Sequence, residues 1–165
     1  MAIQRRYNVL FLCTGNSARS IMADAILNGK VRPVFAGYSA GSHPSGVVRP
    51  EALKLIESAL LPMEGLRSKS WEEFAKPGAL KMDFIFTVCD NAAAEMCPVW
   101  PGQPMTAHWG VADPAAARGT AAQIERAFRD AYLILERRIS LILSLPLASL
   151  EKMAIQKEIN YIGLQ

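Results

Sequence analysis

Short apolar runs alternate along the chain with stretches of helical periodicity, the pattern of a parallel sheet joined by crossover helices. Asn8–Leu12 predicts a first strand and Ser20–Leu27 a first helix, stopped by Asn28-Gly29. Val34–Ser39 reads as a second strand that ends in the flexible segment Ala40-Gly41-Ser42-His43-Pro44-Ser45-Gly46. Pro50–Leu60 opens with proline and glutamate, as a helix start does, and Ser70 with Glu73 has the spacing of a capping box on a short helix. Asp83–Val88 is a third strand and Met105–His108 a shorter fourth. Thr120–Leu143 places Ile124, Phe128, Ala131, Leu135, Ile139 and Ile142 on one helical face until Pro146 stops it. Ser149–Ile162 predicts a further amphipathic helix. No repeat, low-complexity tract or linker divides the chain, so residues 1–146 read as one domain and 147–165 as a helical C-terminal extension.

An open sheet of this kind binds ligands at the carboxyl ends of its strands. The first such end carries Cys13-Thr14-Gly15-Asn16-Ser17-Ala18-Arg19-Ser20, a Cys-x5-Arg loop between strand and helix. Backbone amides at a helix N-terminus converge on one point, and the helix dipole favours negative charge there. The loop therefore suits a tetrahedral oxyanion, with the Arg19 guanidinium adding bidentate hydrogen bonds. The same field is expected to lower the pKa of Cys13 and make it a nucleophile. The plain alternative is a buried structural cysteine, with Gly15 and Asn16 merely making a turn.

Composition narrows the classes. With 165 residues, about half of them apolar, the chain can bury a good core. A net charge of +3 without a Lys/Arg cluster argues against nucleic-acid binding. The apolar run before the Cys13 loop is too short for a signal peptide, and Pro146 interrupts Ile139–Leu147, the longest approach to a membrane span. Three cysteines outside any secreted-type framework point to a reducing cytoplasm, where cysteines are catalytic, redox-active or metal-binding. The two histidines and three cysteines have no metal-ligand spacing, so no metal is expected.

Two later segments fall on the same rim. Asp113-Pro114 follows the fourth strand, and a carboxylic acid there can protonate a leaving oxygen when Cys13 attacks. Its alternative is a turn or helix cap. After the third strand come Cys89 and Cys97, flanking the Ala-rich Asp90–Met96 stretch. If that stretch is helical, eight residues at about 1.5 Å each separate the cysteines by about 12 Å. A disulfide needs Cα atoms within about 7 Å, so pairing them requires the helix to unwind. Two buried small hydrophobes are the alternative here. His43, in a Gly/Ser/Pro loop, is expected in solvent, and His108 to be a hydrogen-bonded structural residue.

Cys13–Ser20 together with Asp113-Pro114 resembles the low-molecular-weight protein tyrosine phosphatase fold, and Cys89 with Cys97 adds a likeness to the arsenate reductases built on it, which are usually thioredoxin-coupled. The resemblance covers roughly residues 7–145. It implies an α/β three-layer sandwich with a four-stranded parallel sheet in the order 2-1-3-4. It also implies a relay. Cys13 attacks arsenate held by Arg19 and the amides of Thr14 to Ser20, and Asp113 protonates the departing hydroxyl. Cys89 then attacks Cys13 and releases arsenite, and Cys97 resolves the pair into a Cys89–Cys97 disulfide for an external dithiol. Asn16 would shape the loop, while Ser17 and Ser20 would contact the Cys13 sulfur. The reductant implied is thioredoxin, with glutaredoxin or glutathione as alternatives, because the Cys89–Cys97 interval is slightly long and Ala18 stands where many members carry another cysteine. The role implied is arsenic detoxification.

A phosphatase on this scaffold would use the same Cys13, Arg19 and Asp113. It would also need an aromatic wall, and Asp113-Pro114 is followed by Ala115-Ala116-Ala117, leaving Trp109 or Trp71 as substitutes. Phosphate-monoester hydrolysis is thus the second reading, and an oxyanion-binding or redox-sensing module a third. Monomer and dimer both remain open.

Overall fold

The computed structural model describes residues 6–30, 34–90, 92 and 98–165. Four parallel strands, β1 (Tyr7–Cys13), β2 (Phe35–Gly41), β3 (Phe84–Thr87) and β4 (Met105–His108), form one sheet in the order β2-β1-β3-β4. This is the class and strand order that the resemblance implies. The longer helices are α1 (Arg19–Gly29), α2 (Pro50–Ser58), α3 (Ala121–Leu143) and α4 (Lys152–Ile162).

Side-chain alternation along the strands divides the core. Val9, Phe11, Cys13, Phe84 and Phe86 pack with Ile21, Met22, Ile26, Phe128, Leu135 and Ile139 from the helices. Leu10, Leu12, Ala40 and Ile85 point the other way, beneath Trp71, Phe74 and Trp100. The layer on that side is thin, built from a 3-10 turn at Trp71–Phe74 and a loop tryptophan. β1 is buried on both faces over Val9–Cys13, which is why it reads as an unbroken apolar run. On α4, Ile155, Ile159 and Ile162 are buried in the same large cluster. Among the described residues, no helix is long and apolar enough to cross a membrane.

Three expectations change in detail. Ala40 and Gly41, read as flexible, are the last residues of β2 and pair with Leu12 and Cys13. Backbone pairing holds them, which needs no side-chain pattern. A Cβ on Gly41 would meet the carbonyl oxygens of Thr14 and Cys13, the latter at 2.9 Å. Gly41→Ala should therefore cost about 3 kcal/mol in urea unfolding, the upper end for overpacking, and loosen phosphate binding, because backbone cannot move aside as a side chain can. Ser70 caps its turn by accepting from the Glu72 amide at 3.2 Å, but no capping box forms. The Glu73 carboxylate binds the Arg67 guanidinium instead, at 3.0 and 2.5 Å. The capping box on α3 is Thr120 with Gln123, which the sequence reading did not single out. Finally, α2 ends at Ser58 rather than Leu60, whose φ of 58° takes the chain out of the helix.

Candidate active site

β1 ends on Cys13 and α1 begins at Arg19, so the intervening loop is stretched between two rigid elements. Its carbonyls are drawn outward. Thr14 O accepts from the His43 amide at 2.9 Å, Gly15 O from the Ser45 amide at 3.0 Å and the Ser68 hydroxyl at 3.1 Å, and Ser17 O from the Arg49 amide at 2.8 Å. The amides of Asn16, Ser17 and Ala18 have no hydrogen-bond acceptor among the described residues, and they sit at the positive end of α1. Such a loop offers donors to an anion.

Asn16 holds the loop's shape. It is fully buried with φ of 46°, a left-handed conformation that asparagine tolerates better than most residues. Its amide group donates to the Ser20 hydroxyl at 2.8 Å and its oxygen accepts from the Lys69 amide at 2.9 Å. Ser20 is thereby committed to Asn16. Among the described residues, the sulfur of Cys13 bonds the Cys89 thiol and the Gly15 amide rather than Ser17 or Ser20.

Arg19 and Asp113 do come together. Arg19 Nη1 donates to Val111 O at 2.9 Å, and Nη2 lies 3.7 Å from Asp113 Oδ1. Asp113 also accepts from the Ala115 amide at 3.0 Å, capping the 3-10 turn Pro114–Ala116, so the capping alternative holds beside the rim position. Its side chain is exposed rather than partly buried. Trp109 cannot serve as a substrate wall: it is buried against Phe86, with ring centroids 3.8 Å apart and planes within 8°. Trp71 packs edge-on to Trp100 at 6.1 Å.

Cys89 lies beside Cys13, both as free, buried thiols hydrogen-bonded to each other. The loop was expected to lower Cys13, and Arg19 and the Gly15 amide do act in that direction, but a second sulfur competes for the same proton. Cys89 accepts from Cys13, from the Thr14 amide at 3.3 Å and hydroxyl at 3.6 Å, and from the Ala92 amide at 3.4 Å. These bonds, led by that from Cys13, pull its thiol down to about 5 against the effect of burial. The Cys13 thiol is pushed up, first by donating to Cys89 and then by burial, and Arg19 only partly offsets this. The two hydrogen-bonded sulfurs thus share one proton and titrate as a pair. Cys97, and most of the helix expected before it, lie outside the described residues. Among the described residues no group of three or more His, Cys, Asp or Glu could hold a metal.

His108 bonds the Thr87 hydroxyl and the Asp90 carboxylate, each at 2.8 Å, as expected of a structural residue. His43 is exposed against Ser42 at 3.1 Å.

Sequence reading missed a polar cluster beneath the loop. Asp24 accepts from Ser39 and Asn28, both at 2.8 Å, while Lys69 Nζ donates to Ser39 O at 2.8 Å and Arg67 O at 2.9 Å. The available signal was a single carboxylate within Ser20–Leu27, a helical stretch that is otherwise uncharged and entirely buried. Burial raises Asp24 from its ordinary 3.8 to about 6, with Ser39 and the Lys69 charge opposing it. Because the folded state holds the proton longer than the unfolded chain, this group's contribution is full below about pH 4 and is lost as pH rises through 6. Urea unfolding should therefore show wild type losing about 2 kcal/mol relative to Asp24→Asn between pH 4 and pH 7. Parallel profiles would contradict the shift.

Residues 8–156 match the low molecular weight phosphotyrosine protein phosphatase family. The arsenate reductase of Bacillus licheniformis is 35% identical over 113 residues, which is 68% of this chain and 77% of the relative. A solved structure described as an arsenate reductase in the phosphate binding state shares the fold with a TM-score of 0.68 at 24% identity, covering 84% of this chain and 97% of that one. The Corynebacterium glutamicum thioredoxin-dependent arsenate reductase shares it with a TM-score of 0.54 at 20% identity, covering 86% of this chain and 65% of that one. Match and identity together place the chain: it belongs to the low molecular weight phosphotyrosine protein phosphatase family, and its curated relative at 35% identity is an arsenate reductase.

Proposed function

We propose that this protein is a thiol-coupled arsenate reductase. The observation that carries the reading is the second sulfur: Cys89 is hydrogen-bonded to Cys13 at the base of the oxyanion loop, where a phosphatase needs only one. The 35% identity to an arsenate reductase supports the same conclusion.

Arsenate enters the loop and is held by the amides of residues 14–20 and by Arg19, whose charge matches the oxyanion. Cys13 passes its proton to the adjacent Cys89 and attacks arsenic, forming a sulfur–arsenic bond. Asp113 protonates the departing hydroxyl, which leaves as water. Cys89 gives up the Cys13 proton to solvent and, as a thiolate, attacks the Cys13 sulfur. The Cys13–As bond breaks, its electron pair remains on arsenic, and arsenite leaves with the Cys13–Cys89 disulfide behind. Cys97 attacks Cys89 and frees Cys13. An external dithiol of the thioredoxin type then reduces the Cys89–Cys97 bond. Glutaredoxin or glutathione is the alternative reductant, and a reducing cytoplasm suits either.

Cys13, Arg19 and Asp113 also suit phosphate-monoester hydrolysis, but only alanines follow Pro114 and Trp109 is buried. Ring contacts of roughly 0.5–1.5 kcal/mol each are thereby missing for an aryl substrate. The deciding experiment follows NADPH oxidation on adding arsenate, with thioredoxin and its reductase or with glutathione and glutaredoxin, beside p-nitrophenyl phosphate hydrolysis. Arsenate-dependent oxidation with either system is expected. Efficient hydrolysis with no arsenate-dependent oxidation would make the protein a phosphatase.

A further inference from the structure

A buried arginine outside the loop bears on the acid. Arg138, on α3, is 6% exposed, and among the described residues no carboxylate side chain pairs with it. It donates instead to main-chain oxygens: Nη1 to Trp109 O at 2.8 Å and Gly110 O at 3.1 Å, and Nε to Gln165 O at 3.1 Å. Burying a cation against main-chain oxygens carries a desolvation penalty that a methionine or leucine there would avoid. What the guanidinium holds is the start of the segment that runs to Asp113.

That segment is gripped along its length. Arg138 takes the carbonyls of Trp109 and Gly110, the Val111 amide donates to Val88 O at 3.0 Å, and Arg19 takes the Val111 carbonyl and faces Asp113. The C-terminal residues close on the same place. Trp109 Nε1 donates to Ile159 O at 2.9 Å, and Gly163 lies so near that a Cβ on it would be 2.9 Å from Trp109 Cδ1. Residues 147–165 thus contribute α4 as a brace on the acid-bearing segment, tied to it through Arg138 and Trp109.

We propose that Arg138, with the C-terminal helix it tethers, is a positioning residue for Asp113: it fixes the height of the 109–113 segment over the oxyanion loop. This rests on the reading of Asp113 as the acid for the departing hydroxyl. A displacement of about 1 Å at such a group can cost on the order of 100-fold in rate.

The test is a double-mutant cycle read in single turnover, as the rate at which reduced enzyme mixed with arsenate releases arsenite, without external reductant. Arg138→Met is expected to slow release roughly 10- to 100-fold while phosphate binding changes little. In an Asp113→Asn background the same substitution should add almost nothing, because the group it positions is already gone. Arg138→Lys, which keeps one cationic donor, should recover part of the rate. If Arg138→Met does not fold, Gly163→Ala, which pushes α4 off Trp109, and Arg138→Lys carry the same cycle. Equal losses in both backgrounds would reduce Arg138 to a general structural role and overturn the proposal. Undiminished release by Asp113→Asn alone would instead remove the acid assignment on which it stands.

Discussion

Cys13→Ser is expected to eliminate arsenate reduction and p-nitrophenyl phosphate hydrolysis together, each by at least about 10⁴-fold, since nothing else in the loop can form the bond to arsenic or phosphorus. The substitution is nearly isosteric. A serine hydroxyl can still donate to Cys89, Arg19 keeps Val111 and Asp113, and the amides of Asn16, Ser17 and Ala18 are untouched. Binding and chemistry should therefore separate. Calorimetry with inorganic phosphate should return an affinity within a few-fold of wild type, while turnover disappears. Retained turnover would move the nucleophile elsewhere, and lost phosphate binding would mean that Cys13 is an architectural part of the loop.

Cys89→Ser should abolish catalytic arsenate turnover with any thiol reductant yet leave phosphate-monoester hydrolysis within a few-fold. The asymmetry follows from the relay. Hydrolysis ends when water attacks the Cys13 adduct, whereas reduction requires a second sulfur to take over the Cys13 bond. The substitution has another consequence, with a sign set by the shared proton. The hydrogen bond to the Cys89 sulfur is the first cause that raises the Cys13 thiol. Without that sulfur the main cause raising Cys13 is gone, so the pH midpoint of Cys13 alkylation by iodoacetamide should fall. An unchanged midpoint would mean that the two sulfurs do not share a proton. A matching loss of hydrolysis would make Cys89 part of the first step. Cys97→Ser, in the same assays, should allow one arsenite per enzyme and then stop.

The part of the site that could be read from sequence is the part whose chemistry is local. Cys13 to Arg19 sits between an apolar strand and a helix, and secondary structure alone brings its donors together. The class was legible for a similar reason, since β1 and β3 are short apolar runs joined through helices, whereas the strand order came only with the family resemblance. Long-range polar contacts were not. Nothing in the spacing of Asp24, Ser39 and Lys69 announces that they meet beneath the loop. Arg138 adjoins the apolar stripe of α3 between Leu135 and Ile139, where periodicity cannot tell a flanking cation from a buried one. That the loop thiol bonds a second sulfur is likewise invisible in spacing alone, since Thr14 and Cys89 meet across 75 positions. Ile155, Ile159 and Ile162 did mark a helix with one apolar face, but not that the face closes on Trp109.

The pairing of β1 with β3 also acts as a ruler. Leu12 lies opposite Thr87, so two residues further each strand delivers its chain to the rim, where Thr14 meets Cys89 from 75 positions away. Residues inserted in the long connection between β2 and β3 leave that meeting intact, because the ladder and not the connection measures it. Removing one residue within Phe84–Thr87 would turn Cys89 towards the opposite face of the sheet and separate the sulfurs. The meeting of two sulfurs from distant parts of the chain is therefore specified by hydrogen-bond register, and the loops between can lengthen or shorten without changing it.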